Sequence, residues 1–192
     1  MKKTRLTKKP GTGLKRSPIK TDKQKKFAAR KKKLAKEREL WASFGLVRPV
    51  KPRYVGLQGI CWYLASKAVR SQEYALYGVC VDGCGVQVER WEDTDCGHFQ
   101  GAGSSATRFR RENLGMQIKK CNMDQKNGKA IQYRYGKVIN QRYGEGMAEL
   151  LMEESERKHT LTEAELLEYI AYYKAILETV DNPLQGEEPT VR

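Results

Sequence analysis

The stretch GMQIKKCNMDQKNG, residues 115–128, places a single cysteine directly before an asparagine, with lysines on both sides and a glycine at its end. A lone cysteine is most often a small buried hydrophobe, because free cysteine is among the most buried residue types. Cys121 therefore has two interpretations, a core residue or a chemical group, and the surrounding sequence must decide between them.

The length and composition limit what the chain can build. Its 192 residues, 39% of them hydrophobic, fit one domain with appendages and can supply one modest core. The basic start MKKTRLTKK, residues 1–9, is not followed by the apolar stretch of a secretion signal, and no long apolar run occurs later. We expect a soluble, intracellular protein without a membrane segment.

Positive charge is concentrated in two parts of a chain whose net charge is +14. Residues 1–53 hold 20 Lys and Arg against 3 Asp and Glu, and residues 98–142 hold 10 against 2, whereas residues 143–192 are acidic. Such basic blocks attract polyanions, because neutralised phosphates release their counterions. A nucleic acid is the expected partner, and the alternative is a solvated tail that only aids solubility.

The basic N-terminal region divides into two segments. Residues 1–20 lack apolar periodicity and are predicted to be disordered, whereas residues 22–41 are predicted to form a basic helix capped by Thr21 or Asp22. This helix either packs weakly on the body or acts as an arm that follows a DNA backbone. Its narrow apolar stripe consists of Phe27, Leu34 and Trp41.

The middle of the chain begins with a hinge and a helix. Residues 45–56 contain Gly45, Pro49, Pro52 and Gly56, so they cannot continue a helix and are predicted to form a hinge. Residues 58–73 fit a helix that buries Cys61, and residues 86–91 alternate like a short strand. The C-terminal third is predicted to be helical and acidic, with a capping box at Thr160 and Glu163.

Cysteines in the middle of the chain have the spacing of metal ligands. Cys80 and Cys84 form a C-x3-C pair in a glycine-containing turn, and Cys121 offers a third thiolate. A tetrahedral structural zinc needs a fourth ligand. A second C-x2-C pair would have supplied it at position 118, where this chain has Ile118.

The order of the motifs indicates an HNH-type ββα-metal nuclease. A cysteine turn is followed by His98 at the end of the predicted strand region, then by Asn113, and then by a helix that opens with Cys121 and Asn122. His98 alone would favour a hydrogen-bonded structural histidine, but its neighbours favour a functional one.

Five successive motifs resemble the NinG/Rap family of lambdoid-phage recombination proteins. They are GVCVDGCG, CGHF, TRFRRENLGMQ, KKCNMDQKNG and YRYGKVINQRYGEGMAELL, which follow in unbroken order within residues 58–180. The lysine-rich N-terminal region is also similar to the family.

The resemblance implies an endonuclease that acts on branched DNA and has zinc-knuckle cysteines beside an HNH-like site. This chain departs from the family pattern at Ile118 and in the extra residue of the first cysteine pair, and Cys96 is a possible substitute ligand. The residues carried over are Cys80 and Cys84 for the first knuckle, His98, Asn113, and Cys121 with Asn122 for the second knuckle.

Phosphodiester hydrolysis needs an activated water and a cation that takes up charge on the leaving oxygen. His98 suits the general base, and Asn113 could hold its ring. Asp95 and Asn122 are the nearest candidate oxygen donors for a catalytic Mg²⁺. Many HNH sites have an acid immediately before the histidine, where this chain has Gly97. Asp93 or Glu92 could replace Asp95, and Asn122 could instead be a helix cap.

Seven basic side chains flank these candidates, and their alternative role is a solvated rim. We expect them to contact DNA phosphates and to recognise branches through backbone shape. They are Arg108, Arg110, Arg111, Lys119, Lys120, Lys126 and Lys129.

The sequence therefore predicts an α+β protein with a small HNH-like core flanked by helices, structural Zn²⁺, catalytic Mg²⁺ and branched DNA as partner. The protein is expected in the cytoplasm of a bacterial host. It could form a homodimer. The competing hypothesis is a zinc-stabilised DNA-binding accessory protein without catalysis. The predicted regions are a basic arm at 1–53, the nuclease core at 54–143, a helical region at 144–180 and a disordered tail at 181–192.

Overall fold

The computed structural model describes residues 21–125 and 129–181, without the side chains of Lys129, Ala130 and Asp181. The disorder predicted for residues 1–20 and for the tail after 181 lies outside the described residues, and so does Lys126.

Helices surround one small sheet, which confirms the α+β prediction. Strands β1 (Asp95–His98) and β2 (Leu114–Gln117) pair antiparallel, with Asp95 opposite Gln117 and His98 opposite Leu114. The helices in the described part are α1 (Asp22–Ser43), α2 (Gly56–Leu76), α3 (Lys119–Gln125), α4 (Lys129–Tyr143), α5 (Met147–Ser155) and α6 (Glu163–Asp181).

Helix α1 is a solvated helix whose last turns join the core. Thr21 caps it in a reciprocal capping box with Gln24, as its sequence favours. Residues 21–33 are exposed, whereas the Trp41 side chain is completely buried in the main core. A cut after residue 53 would therefore remove a core residue and not only a charged arm.

Helix α2 is the central helix, because its apolar residues recur every three or four positions and face the sheet and α6. Cys61 is completely buried, which confirms its predicted core role. Glu37 of α1 accepts a hydrogen bond from the Gly56 N–H at 2.9 Å and so caps the first turn of α2. A Cβ at Gly59 would lie 2.4 Å from the Tyr54 carbonyl oxygen, so only glycine permits this close approach.

Two local predictions were wrong. The strand predicted at 86–91 is reduced to an isolated bridge between Val79 and Gln87, because the segment closes the tight cysteine turn and has no further strand to pair with. The capping box of α6 lies two residues later than expected. Thr162 and Glu165 exchange the hydrogen bonds, with 2.7 Å from the Thr162 N–H to the Glu165 carboxylate.

The β hairpin is buried on both faces, so the described residues form two hydrophobic clusters where one core was predicted. Cys96 and Leu114 face the main cluster, which unites α2, α6 and the end of α1. Phe99 follows on the opposite face and belongs to a second cluster with α4 and α5. The main cluster contains residues from both sides of the region boundaries expected at 53 and 143, so these regions share one core.

Candidate metal and nucleic-acid site

Three predicted cysteines come together with an aspartate. Cys80, Asp82 and Cys84 lie in the turn before β1, Cys121 lies on α3, and their ligand atoms are all within 4.8 Å of one another. The Cys84 and Cys121 sulfurs are 3.7 Å apart. Two sulfurs that each lie about 2.3 Å from a tetrahedral zinc are about 3.8 Å apart, so this spacing fits zinc. The cluster could hold a metal ion and would tie the turn to α3.

Asp82 is the fourth ligand candidate that the sequence prediction missed. It is completely buried, its Oδ1 accepts the Cys84 N–H at 3.0 Å, and its Oδ2 has no hydrogen-bond partner among the described residues. A buried carboxylate oxygen without a partner is costly unless a cation binds it. Its place within CVDGCG, two residues from each cysteine, was the available signal.

The structure shows what surrounds Ile118 and Cys96, the two positions whose role in the metal site the sequence left open. The Ile118 N–H donates a hydrogen bond to the Cys80 sulfur at 3.4 Å, so position 118 supports the cluster through its backbone. Cys96 does not join the cluster, because strand alternation turns it into the main core. Burial raises the pKa of the Cys96 thiol to about 12, so it stays neutral.

His98 ends β1 on the face of the hairpin that contacts α2. Its ring stacks on Trp62 with centroids 4.9 Å apart and planes 10° from parallel. Its Nε2 lies 3.1 Å from the Arg108 carbonyl oxygen, which can only accept, so Nε2 carries the proton of the neutral ring. Nδ1 keeps its lone pair and has no hydrogen-bond partner in the described part of the chain.

Burial lowers the pKa of His98 to about 4, with further lowering by the charges of Arg53 and Arg108, and the hydrogen bond to the Arg108 carbonyl opposes the shift. His98 is therefore neutral at pH 7. Arg53 lies over the Trp62 ring at 4.8 Å, so this indole contacts both a cation and the imidazole of His98.

The lowered pKa of His98 predicts a stability that depends on pH. Because the unfolded chain binds the proton more readily, this contribution is complete above pH 6.5 and is lost as pH falls towards 4. The loss is on the order of 3 kcal/mol. Urea unfolding of parent and His98→Gln at several pH values should show a weaker pH dependence in the variant. Equal dependence in both proteins would contradict the buried, neutral His98.

Asn113 is buried and holds the loop between the two strands. Its Oδ1 accepts the Gln100 N–H at 2.6 Å, and its Nδ2 donates to the carbonyls of Gln100 and Thr107 at 3.0 and 2.9 Å. This loop carries Arg108, whose carbonyl orients His98. Asn113 therefore positions His98 through the loop, and its side-chain hydrogen bonds go to Gln100 and Thr107 and not to the ring.

Polar side chains fill the opposite face of the hairpin, towards α3. Asn122 Nδ2 donates to Asp95 Oδ2 at 2.9 Å, so the two predicted Mg²⁺ ligands do meet. Gln117 is completely buried, and its Oε1 has no hydrogen-bond partner among the described residues. Gln125 accepts from Gln117 at 3.0 Å and donates to the His98 carbonyl at 2.8 Å.

Gln117 occupies the space that a side chain at position 97 would need. A Cβ at Gly97 would lie 1.5 Å from Gln117 Oε1. We expect Gly97→Ala to destabilise the protein by about 1–3 kcal/mol, and Gln117→Ser in the same chain to restore part of this loss. Chemical unfolding of the two single variants and the double variant measures this coupling. Additive effects would show that the two positions do not compete for space.

The predicted DNA-contacting residues have different environments. The Arg111 side chain is only 10% exposed and pairs with the buried Glu73 at 3.2 Å. Arg110 pairs with Glu112 and Glu154, so neither arginine is free for phosphate. Arg108 has no acidic partner in the described residues and lies near Tyr54. Lys119 and Lys120 are exposed on α3, Lys126 is outside the described residues, and the side chain of Lys129 is not described.

Sequence reasoning did not select Arg53, Trp62, Glu73 or Gln117. The sequence offered a signal for Arg53 and Trp62, since a basic residue and an aromatic residue near a candidate histidine are typical of nucleic-acid contacts. The sequence offered no such signal for Glu73 and Gln117, because a polar residue in a helix or strand is usually exposed and these two are buried.

These features define a small α+β protein in which a candidate metal centre joins the turn before β1 to the short helix α3. The family model described as Bacteriophage Lambda NinG protein matches residues 2–183, and the chain belongs to this family. Membership suggests a role in phage recombination. No curated protein and no solved structure gives a significant match.

None of the helices in the described residues is long and apolar enough to cross a membrane.

Proposed function

We propose that this chain is a metal-dependent endonuclease that cuts branched DNA during phage recombination, and that zinc in the cysteine cluster holds its active region together. The observation that carries the proposal is the setting of His98. Its ring is fixed by Trp62 and by the Arg108 carbonyl, its Nδ1 is free to accept a proton, and Arg53 and Arg108 lie close enough to lower its pKa.

DNA binding would prepare His98 for its role as the base. Arg53 and Arg108 disfavour a positive charge on His98. A phosphodiester bound between them would neutralise this effect and raise the pKa of His98 towards the range of an effective base. His98 Nδ1 would then take a proton from the attacking water, while Arg108 still holds Nε2.

Oxygen donors for a catalytic divalent cation lie on the α3 side of the hairpin. Asp95, Gln117 and Asn122 would hold it, and the unpaired buried Oε1 of Gln117 fits a group that awaits a ligand. Gln117 reaches the space beside Gly97, one residue before His98, where many HNH sites have an acid. When bound, Mg²⁺ would stabilise negative charge on the phosphate and the leaving oxygen.

A second candidate function is a DNA-binding recombination accessory protein without catalysis. Two observations favour it. First, the side-chain amide of Asn113 makes its hydrogen bonds within the loop. Second, Asp95 and His98 lie on opposite faces of β1, and the three-residue step between them corresponds to about 10 Å along the strand. The same cysteine cluster and arginines would then only shape a basic surface.

A cleavage assay separates the two functions. Purified protein is incubated with end-labelled branched and linear duplexes, with and without Mg²⁺. We expect Mg²⁺-dependent cuts near the branch and little cleavage of the linear duplex. If the protein binds these DNAs but cleaves them with none of the divalent metals tested, the endonuclease proposal is wrong and the accessory function replaces it.

The basic arm should supply affinity without sequence preference. Deleting residues 1–32 removes 14 Lys and Arg and one Asp, and the described residues among them are exposed. DNA binding should weaken, and the salt dependence should flatten by about 0.9 in log–log slope for each lost phosphate contact. Affinity measured at several salt concentrations tests this. An unchanged slope in a folded deletion variant would rule out the arm as a DNA contact.

A further inference from the structure

A groove of about 480 Å³ runs along α2, between the segment before this helix and a 3₁₀ turn at Trp91–Asp93. We call it the aromatic groove. Its walls include three aromatic rings and three cationic side chains, namely Trp62, Tyr63, Trp91, Lys51, Arg53 and Lys67.

The charges of the aromatic groove are available to a ligand. Lys51, Arg53 and Lys67 form no ion pair within the described residues, and Glu92 is the acid in the lining. Arg70 is already engaged, because it donates to the Thr94 carbonyl at 2.9 Å and covers one side of the Trp91 ring. The groove therefore carries a positive charge that an anionic ligand would neutralise.

Its aromatic groups suit flat, apolar ring systems. Tyr63 is 39% exposed, and its ring contacts the buried Trp41 edge to face, so it is a firm platform. Trp41 also lines the groove, and its indole N–H has no hydrogen-bond acceptor among the described residues. Aromatic platforms beside unpaired cations are the usual means of binding single-stranded nucleic acid.

We propose that the aromatic groove binds an unpaired strand of DNA, with bases against Tyr63 and phosphates against Lys51 and Lys67. Trp62 lines this groove and also stacks on His98, so one side chain separates the groove from the candidate base. The volume falls in the range of about 300–1,000 Å³ typical of ligand sites, which is enough room for nucleotides. The inference extends the proposed function by naming the part of a branched substrate that binds beside His98.

The test measures binding without cleavage, in Mg²⁺-free buffer, with fluorescent oligothymidylate and a duplex of equal length. Tyr63→Leu should weaken binding of oligothymidylate about fivefold or more and leave duplex affinity unchanged. Its matched control is Tyr133→Leu on α4, because Tyr133 is 65% exposed and lies outside the groove. Lys67→Glu should also weaken oligothymidylate binding more than Lys158→Glu, an equal charge change at an exposed residue that does not line the groove.

Unchanged oligothymidylate affinity in folded Tyr63→Leu and Lys67→Glu would overturn the proposal. Equal losses for the single strand and the duplex would also overturn it, since the groove would then serve the duplex backbone. Because this test does not depend on cleavage, the groove can be shown to bind single-stranded DNA even if the endonuclease proposal is refuted. Conversely, if the protein cleaves branched DNA but the groove variants bind oligothymidylate like the parent, only this inference is refuted.

Discussion

Replacing His98 by alanine is expected to slow cleavage of branched DNA by about 10²- to 10⁴-fold. The variant loses the imidazole that accepts the proton of water, whereas the cysteine cluster, Arg53 and Arg108 remain. DNA affinity should therefore stay close to that of the parent. Single-turnover cleavage and binding are measured on one preparation.

The second histidine provides the control for this experiment. His159 lies outside the candidate site and pairs with Glu165 at 2.9 Å, so His159→Ala should cut like the parent. A purely structural His98 would behave differently, because its loss would lower stability, binding and cleavage together. Normal cleavage by a folded His98→Ala protein would refute the role as base.

Loss of the cysteine cluster should have the largest effect on stability. Cys121→Ala removes the ligand on α3 and should reduce bound zinc and lower the free energy of unfolding by on the order of 5 kcal/mol. Helix α3 carries Asn122 and Gln125, which contact Asp95 and the His98 backbone, so cleavage should fall as well. Elemental analysis and thermal unfolding measure the two effects.

Two further variants sharpen the assignment of the ligands. Cys96→Ala should keep the parent zinc content, because Cys96 lies in the main core. Asp82→Asn can still accept the Cys84 N–H but loses the negative charge, so it should weaken metal binding and preserve the turn. Full zinc content in folded Cys121→Ala, or zinc loss in Cys96→Ala, would contradict the proposed ligand set.

The sequence was informative where chemistry and local spacing coincide. Cys80, Cys84 and Cys121 were recognised because thiolates in a glycine-containing turn and at a helix start are typical of metal sites. Asp82 was missed because an aspartate in a turn usually caps its own backbone, and it does accept the Cys84 N–H here as well. Its buried second oxygen, which has no hydrogen-bond partner among the described residues, makes Asp82 a candidate ligand.

Long-range pairing explains the remaining differences. Arg111 stands in a basic stretch, yet it pairs with Glu73, which lies 38 residues earlier on α2 and is also reached by Arg142. Asn113 was recognised, but its contacts depend on the path of the loop from 99 to 113, which local sequence does not fix. The strand predicted at 86–91 needed a pairing partner, and pairing is likewise a property of the whole fold.

The most direct test of the endonuclease proposal is the single-turnover rate of branched-DNA cleavage as a function of Mg²⁺ concentration, measured for the parent, Asp95→Asn and His98→Ala. If Asp95 helps to hold the cation and His98 is the base, Asp95→Asn will need more Mg²⁺ to reach half of its maximal rate. His98→Ala will keep the half-saturating concentration and lose the maximal rate. A parent protein that binds branched DNA but shows no Mg²⁺-dependent cleavage, or variants that match the parent in both quantities, would contradict the proposal.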